Sequence, residues 1–133
     1  MKTISLIGST GSIGVQTLQV AEERGYAVAA LAAGRNAQKL EEQILRFRPR
    51  VAALCDEKAG RALAEKLAPV CDTRIFWGEE GVCRAAAEES ADLVLNAAVG
   101  IAGLRPTVAA IRAGKTLALA NKESLVCAGE LVN

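Results

Sequence analysis

The chain has 133 residues, a length that favours a single domain with a substantial buried core. Its 16 basic and 15 acidic residues give a net charge of +1, and no basic stripe or charged tail indicates binding to nucleic acid or to an anionic membrane. No segment approaches the ~20 apolar residues of a membrane-spanning helix, and the N-terminal apolar run is too short for a signal peptide, so we expect a soluble, cytoplasmic protein.

Short apolar runs alternate along the chain with longer segments of helical period. Several of the runs are apolar nearly throughout, which is typical of parallel strands that are covered on both faces. The alternation predicts an α/β fold of the doubly wound, Rossmann-like kind, with a mainly parallel sheet and helices on both faces. The predicted strands comprise residues 3–7, 27–33, 51–55, 73–77, 92–96 and 116–120.

Three of the segments between or after these runs carry apolar residues at intervals of three and four, which places each set on one face of a helix. The last of these helices reaches Asn133 without a stop signal, so we expect a chain that is truncated or disordered beyond this point. The three sets are Ala37, Leu40, Ile44 and Phe47; Leu104, Val108 and Ile111; and Leu125, Ala128 and Val132.

Cysteines stand at positions 55, 71, 83 and 127, and the sequence has no histidine. No two cysteines have the spacing of a zinc site or of a redox pair. We therefore predict that they are buried small apolar residues in a reducing compartment.

A glycine-rich segment directly follows the first predicted strand and opens the first predicted helix. Its glycines, Gly8, Gly11 and Gly14, have the spacing G-x-x-G-x-x-G, a variant of the dinucleotide-binding fingerprint. We expect Gly8 to turn the chain tightly, Gly11 to let a pyrophosphate approach the backbone, and Gly14 to let the helix pack closely on the sheet. The alternative is a tight strand-to-helix turn that binds nothing.

The start of this helix supplies donors for an anion. The N–H groups around Ser12 and Ile13 have no partner within the helix, and the helix dipole favours negative charge there. Thr10 and Ser12 add hydroxyl donors. These features predict a phosphate-binding turn.

The end of the second predicted strand indicates NADPH rather than NADH. NAD-binding folds place a carboxylate about 20 residues beyond the glycine turn, but here the residues are Gly34, Arg35 and Asn36. The Arg35 guanidinium can hold a 2′-phosphate through two hydrogen bonds, Gly34 leaves room, and Asn36 can cap the next helix and donate to the phosphate. The alternative is a surface arginine at a helix start.

Two further segments follow predicted strands at the edge where ligands of open α/β sheets bind. Residues 96–104 carry two glycines and small apolar side chains that suit a loop against the cofactor, although an ordinary strand-to-helix connection fits as well. Asn121, Lys122 and Glu123 follow the sixth strand and can bind ribose, carboxamide or phosphate groups. Alternatively, Asn121 caps a helix and the other two are solvated.

The sequence resembles the 1-deoxy-D-xylulose 5-phosphate reductoisomerase family over its whole length. The last matching block is the most specific, because few other folds carry the sequence ANKESL after a strand. The matching segments are residues 8–18, 33–36, 97–107, 113–115 and 119–126.

The resemblance implies the NADPH-dependent rearrangement and reduction of 1-deoxy-D-xylulose 5-phosphate to 2-C-methyl-D-erythritol 4-phosphate, in non-mevalonate isoprenoid biosynthesis. It implies a substrate contact by Lys122, and a homodimeric full-length enzyme. It also implies that NADPH is held by Thr10, Gly11, Ser12, Ile13, Gly34, Arg35, Asn36, Asn121 and Glu123.

The family's divalent-metal carboxylates, for Mg²⁺ or Mn²⁺, lie downstream of the last matching block. We therefore expect residues 1–133 to form the NADPH-binding domain, with no metal ligand or catalytic residue of their own, and the catalytic and C-terminal domains to follow. Two other interpretations stay open. One is the cofactor domain of an NADP-dependent dehydrogenase of the semialdehyde type, which needs a nucleophilic cysteine in a downstream domain. The other is a non-catalytic NADPH-binding module.

Overall fold

The computed structural model describes residues 2–98 and 104–119. Within these residues strands and helices alternate along the chain. They are β1 (Thr3–Ile7), α1 (Ser12–Glu23), β2 (Ala27–Ala33), α2 (Ala37–Phe47), β3 (Val51–Leu54), α3 (Glu57–Leu67), β4 (Arg74–Trp77), α4 (Gly78–Ala86), β5 (Leu93–Asn96), α5 (Leu104–Arg112) and β6 (Thr116–Leu119).

The described strands form one parallel sheet in the order β4-β3-β2-β1-β5-β6. From β1 the chain steps outward through β2 and β3 to β4, and α4 then carries it back so that β5 pairs with the other side of β1. A register shift between Ile4 and Ser5 interrupts the β1–β2 pairing. Because β2 and β5 pair with opposite sides of β1, the direction of winding reverses between β1 and β5. Open α/β sheets bind their ligands at such a reversal.

Right-handed crossovers place α1, α2 and α3 on one face of the sheet and α4 and α5 on the other. Leu18, Leu40 and Leu63 fill the first face, and Val82 and Ala110 fill the second. The longest described helix, α1, has 12 residues, and among residues 2–98 and 104–119 no helix has the length and apolar character to cross a membrane. The predicted fold class is thus confirmed.

The strands and the α2 face were predicted well. The observed strands fall within the predicted ranges, and the third strand ends at Leu54 rather than at Cys55. Leu40 and Ile44 are fully buried beneath α2. Two predicted features lie outside the described residues. They are residue 120 at the end of the sixth strand and the helix that carries Leu125, Ala128 and Val132.

Val108 and Ile111, two residues of the apolar face predicted for α5, are exposed. Val108 is 39% and Ile111 60% exposed, whereas Ala110 is fully buried. Helix α5 turns the small side chain of Ala110 toward the sheet and toward α4, and the two helices are in contact. Periodicity thus identified residues that share a face, but it did not identify the face that is covered.

The expectation of buried cysteines is wrong for the residues that the structure describes. Cys55 is exposed, because it is the first residue beyond β3, and Cys71 and Cys83 are partly buried. All three are free thiols. Cys127 lies outside the described residues.

The sheet centre should carry much of the stability. Leu95 is fully buried in β5. We expect Leu95→Ala to lower the free energy of unfolding by about 2–5 kcal/mol, through lost apolar contact and the cavity that remains. Val70→Ala is the control, since Val70 is 53% exposed and its truncation should cost less than about 0.5 kcal/mol. Urea denaturation measures both, and equal effects would contradict this description of the core.

Candidate nucleotide-binding site

The glycine turn, residues 8–14, lies at the carboxyl end of β1, at the point where the winding reverses. β2 fixes it from one side, because the N–H groups of Gly8 and Ser9 both donate to the Ala32 carbonyl, at 2.7 and 3.0 Å. The segment after β5 lies against its other side, where the Ala97 N–H donates to the Ile7 carbonyl at 2.8 Å. The turn is therefore held between the ends of three neighbouring strands.

Gly8 is required both by conformation and by space. Its φ of +82° belongs to the left-handed region that side chains disfavour. A Cβ there would stand 2.6 Å from the Ala98 nitrogen. The Ala98 N–H itself donates to Asn96 Oδ1 at 2.9 Å, so the start of the 96–104 loop is ordered against the turn. Residues 99–103 of that loop lie outside the described residues.

Gly14 lets the first turn of α1 lie directly on Gly8 and Ser9, which begin the glycine turn. A Cβ at Gly14 would stand 2.1 Å from the Gly8 carbonyl oxygen and 2.8 Å from Ser9 Cα. The sequence predicted that Gly14 packs closely on the sheet, but its close contacts are with Gly8 and Ser9 of the turn. At Gly11, by contrast, the nearest atom to a Cβ would be the Gly8 oxygen at 3.8 Å, so this glycine borders open space.

The N-terminus of α1 is available to an anion. Gly11 is the N-cap residue and provides no side-chain cap, and the first bond of the helix runs from the Val15 N–H to the Gly11 carbonyl at 2.9 Å. The N–H groups of Ser12, Ile13 and Gly14 consequently have no partner within the helix. The first turn also holds no acidic side chain, so the positive end of the helix dipole is uncompensated.

The starts of α2, α3 and α4 differ from that of α1. The N-terminus of α2 is capped by Asn36 and that of α3 by Asp56, whereas α4 carries Glu79 and Glu80 in its first turn. Of the N-termini of α1 to α4, only that of α1 has neither a side-chain cap nor an acidic first turn. This contrast marks it as the place where an external anion would be stabilised.

Three of the predicted side chains surround this helix start. Thr10 is partly buried and Ser12 is exposed, and both carry hydroxyl groups that can donate. Ile13 is 42% exposed, which is high for a large apolar side chain in this protein. The backbone beneath it is held by Thr17, whose buried hydroxyl donates to the Ile13 carbonyl at 2.8 Å.

Gly34, Arg35 and Asn36 lie together at the carboxyl end of β2 and are all exposed. The Gly34 carbonyl accepts from the Asp56 N–H at 2.9 Å, and a Cβ at Gly34 would meet nothing within 4 Å. Asn36 caps α2 as predicted, with Oδ1 accepting from the Lys39 N–H at 3.1 Å. In the described part of the chain Arg35 enters no ion pair, so its guanidinium is available to a ligand.

The geometry of the site by itself fits a dinucleotide phosphate. The space beside Gly11 would be filled by a side chain of any other residue, and unpaired N–H groups border it. A cation stands at the end of the neighbouring strand, β2. Asn121, Lys122 and Glu123, predicted to complete the site, lie outside the described residues.

Gln43 was missed by the sequence reasoning. Its Nε2 donates to the Ser9 carbonyl at 2.8 Å, from α2 into the glycine turn, and both residues are buried. A signal was available: Gln43 stands three residues after Leu40 and directly before Ile44, and so lies on the buried face of α2. A polar residue on such a face requires a buried partner.

Cys83 is not an activated nucleophile. Burial raises the pKa of the Cys83 thiol, with Arg105 acting in the opposite direction and Glu79 and Glu80 adding to the rise. A thiol with a raised pKa holds little thiolate at neutral pH. Nor do residues 2–98 and 104–119 contain a cluster of three or more potential metal ligands.

A parallel sheet that reverses its winding beside a glycine turn, with an uncapped helix behind it, defines a Rossmann-like domain of the doubly wound α/β class. Residues 4–129 match the family model described as 1-deoxy-D-xylulose 5-phosphate reductoisomerase. The chain belongs to this family.

Relatives in two bacteria show how far the similarity extends. The 1-deoxy-D-xylulose 5-phosphate reductoisomerase of Synechococcus sp. (strain CC9605) is 53% identical over 99% of this chain, and that of Symbiobacterium thermophilum is 52% identical over 98%. The matched part is 34% and 35% of those proteins. The chain therefore spans about a third of the length of these relatives.

Solved structures share the fold at a similar coverage. A DOX-P reductoisomerase in complex with NADPH, fosmidomycin and magnesium superposes with a TM-score of 0.84 at 38% identity, over 99% of this chain and 33% of that one. The reductoisomerase from Zymomonas mobilis in complex with NADPH gives a TM-score of 0.80 at 42% identity, over 98% of this chain and 34% of that one.

Two glycines of the turn should respond differently to the same methyl group. Gly14→Ala should lower the free energy of unfolding by about 3 kcal/mol or more, the upper range for overpacking, because the obstructing atoms belong to the backbone. Gly11→Ala should cost less than about 1 kcal/mol, the difference between glycine and alanine at an N-cap. Urea denaturation measures both, and a tolerated Gly14→Ala would show that helix and turn are not in close contact.

Proposed function

We propose that this chain is the NADPH-binding domain of an enzyme that converts 1-deoxy-D-xylulose 5-phosphate to 2-C-methyl-D-erythritol 4-phosphate. The observation that carries the proposal is the uncapped start of α1 behind the glycine turn, at the reversal of the sheet, in a member of the reductoisomerase family. The named reaction consumes NADPH, and the pyrophosphate of that nucleotide is the anion that such a helix start binds.

The end of β2 supports NADPH over NADH. Arg35 is exposed, and Gly34 beside it leaves open space. The nearby Asp56 is the carboxylate that could accept from a ribose hydroxyl, and one of its two oxygens, Oδ1, already accepts from the Ala59 N–H as the cap of α3. A guanidinium facing a 2′-phosphate is therefore the favoured pairing at this edge.

Each part of the domain then has one task in binding. The N–H groups at the start of α1, with Thr10 and Ser12, hold the pyrophosphate, and Ile13 offers an apolar surface beside it. Gly34, Arg35 and Asn36 hold the 2′-phosphate, and Asn121 and Glu123 complete the cofactor site, while Lys122 contacts the sugar phosphate. When bound, NADPH supplies the hydride for the reduction.

The metal chemistry belongs to another part of the enzyme. A divalent ion, Mg²⁺ or Mn²⁺, would polarise the substrate oxygens during the rearrangement of the carbon skeleton. We place its ligands, with the catalytic and C-terminal domains, beyond the third of the relatives' length that this chain spans. The cytoplasmic location and the homodimeric full-length enzyme stay predictions.

Arg35 should decide between the two nicotinamide cofactors. Replacing it by aspartate removes charge-assisted hydrogen bonds to the 2′-phosphate, each worth roughly 1.5–3 kcal/mol. We expect Arg35→Asp to weaken NADPH binding by at least about tenfold and to leave NADH binding nearly unchanged. Isothermal titration calorimetry measures both affinities.

Arg24→Asp is the matched control for this experiment. Arg24 is an exposed arginine at the C-terminal end of α1, and its replacement makes the same change of charge away from the carboxyl edge of the sheet. It should bind both nucleotides like wild type. An unchanged preference for NADPH in Arg35→Asp would overturn the assignment of the 2′-phosphate.

The 133-residue chain alone should bind NADPH without turning over substrate. The proposed cofactor contacts lie within it, whereas the metal ligands are proposed to lie elsewhere. The measurement is NADPH oxidation, followed by absorbance, in the presence of 1-deoxy-D-xylulose 5-phosphate and Mg²⁺. Reductoisomerase activity from this chain would contradict the proposed division of labour.

A further inference from the structure

One buried hydrogen bond joins α2 to the glycine turn. The amide of Gln43 donates to the carbonyl of Ser9 at 2.8 Å across 34 residues of sequence. Gln43 is 8% exposed and Ser9 is fully buried. The bond therefore lies in a water-poor environment, where losing the donor would leave the Ser9 carbonyl without compensation from solvent.

The position of Ser9 gives this bond its importance. The Ser9 N–H donates to Ala32 of β2, and the Ser9 backbone supports Gly14 at the start of α1. Its carbonyl is then fixed from α2 by Gln43. The peptide groups on both sides of Ser9 are thus oriented by different elements, and with them the start of α1.

The same helix begins at the predicted 2′-phosphate site. Arg35 and Asn36 directly precede Ala37, the first residue of α2, and Gln43 lies six residues further on, about 9 Å along the helix axis. A helix is rigid over this length. The bond from Gln43 consequently ties the backbone that presents Arg35 to the backbone that presents the N–H groups of α1.

We propose that Gln43 is a positioning residue that fixes the pyrophosphate-binding turn relative to the 2′-phosphate-binding end of α2. This inference rests on the proposed function, since it assumes that both ends hold one nucleotide. Gln43 itself need not touch the nucleotide.

The cost of burying this side chain supports a positioning role. Gln43 Oε1 is buried and has no hydrogen-bond partner among the described residues. For packing alone, an aliphatic side chain would fill the place between α1 and α2 without an unpaired acceptor. The directional bond from Gln43 to Ser9 explains why a buried amide with one unpaired atom stands at this position.

The first test compares two glutamines that border the same groove between α1 and α2. Gln43→Met keeps the length of the side chain and removes the donor, and Gln19→Met makes the same change at an exposed residue. We expect Gln43→Met to weaken NADPH binding by roughly tenfold or more and Gln19→Met to bind like wild type. Calorimetry gives the affinities, and circular dichroism with thermal unfolding reports whether each variant is folded.

The second test uses one variant in two protonation states. In Gln43→Glu the protonated carboxyl can donate to the Ser9 carbonyl, whereas the ionised form repels it. The ratio of its NADPH dissociation constant to that of wild type should therefore fall toward one in mildly acidic buffer and rise in mildly alkaline buffer. The other charged residues around the groove, Glu22, Lys39, Glu42 and Arg46, are the same in both proteins, so they largely cancel in the ratio.

These outcomes separate positioning from a purely structural role. A pH-independent ratio, or a folded Gln43→Met variant that binds like wild type, would overturn the proposal. Loss of the fold in both Gln43 variants would assign the residue to stability and would overturn it as well. If the wild-type chain itself failed to bind NADPH, the proposed function would fail. If wild type and the Gln43 variants all bound NADPH equally well, only the positioning role of Gln43 would fail.

Discussion

The close approach of α1 to the end of β1 is the constraint on which the site depends. Gly14 lies so near the Gly8 carbonyl that no side chain fits between them, and this contact brings the uncapped helix start to the carboxyl edge of the sheet. Had a side chain stood at Gly14, the helix would be displaced and its N–H groups would no longer border the space beside Gly11. The candidate anion site is therefore a consequence of backbone packing before any polar side chain contributes.

Topology adds the neighbours that the turn needs. Because every described strand is parallel, all carboxyl ends lie at one edge, and the reversal after β4 places the end of β5 beside the end of β1. The segment from Asn96 to Ala98 therefore covers one side of the turn, and Ala32 of β2 holds the other. A turn held between neighbouring strands loses little conformational entropy when a ligand binds, which favours affinity.

The sequence predicted the strands and the glycine turn because both depend on local signals. Strands covered on both faces are continuous apolar runs, and the turn requires glycine where φ is positive or backbones touch. Features set by distant neighbours were less accessible. Helical periodicity grouped Val108 with Ile111 but could not show that α5 turns Ala110 inward, and apolar character alone did not place Cys55 beyond the end of its strand. Gln43 was overlooked because its partner is 34 residues away.

In the proposed function, affinity and cofactor choice come from different chemistry. The pyrophosphate is held by backbone N–H groups whose position is fixed by glycines, so nearly any dinucleotide would satisfy them. The start of α2 is already capped by Asn36, which leaves less of its dipole for a 2′-phosphate, and discrimination there falls to the Arg35 side chain. On this proposal a substitution at Arg35 would alter selectivity without disturbing the turn, whereas a substitution at Gln43, which joins the two regions, would affect the binding of both phosphates.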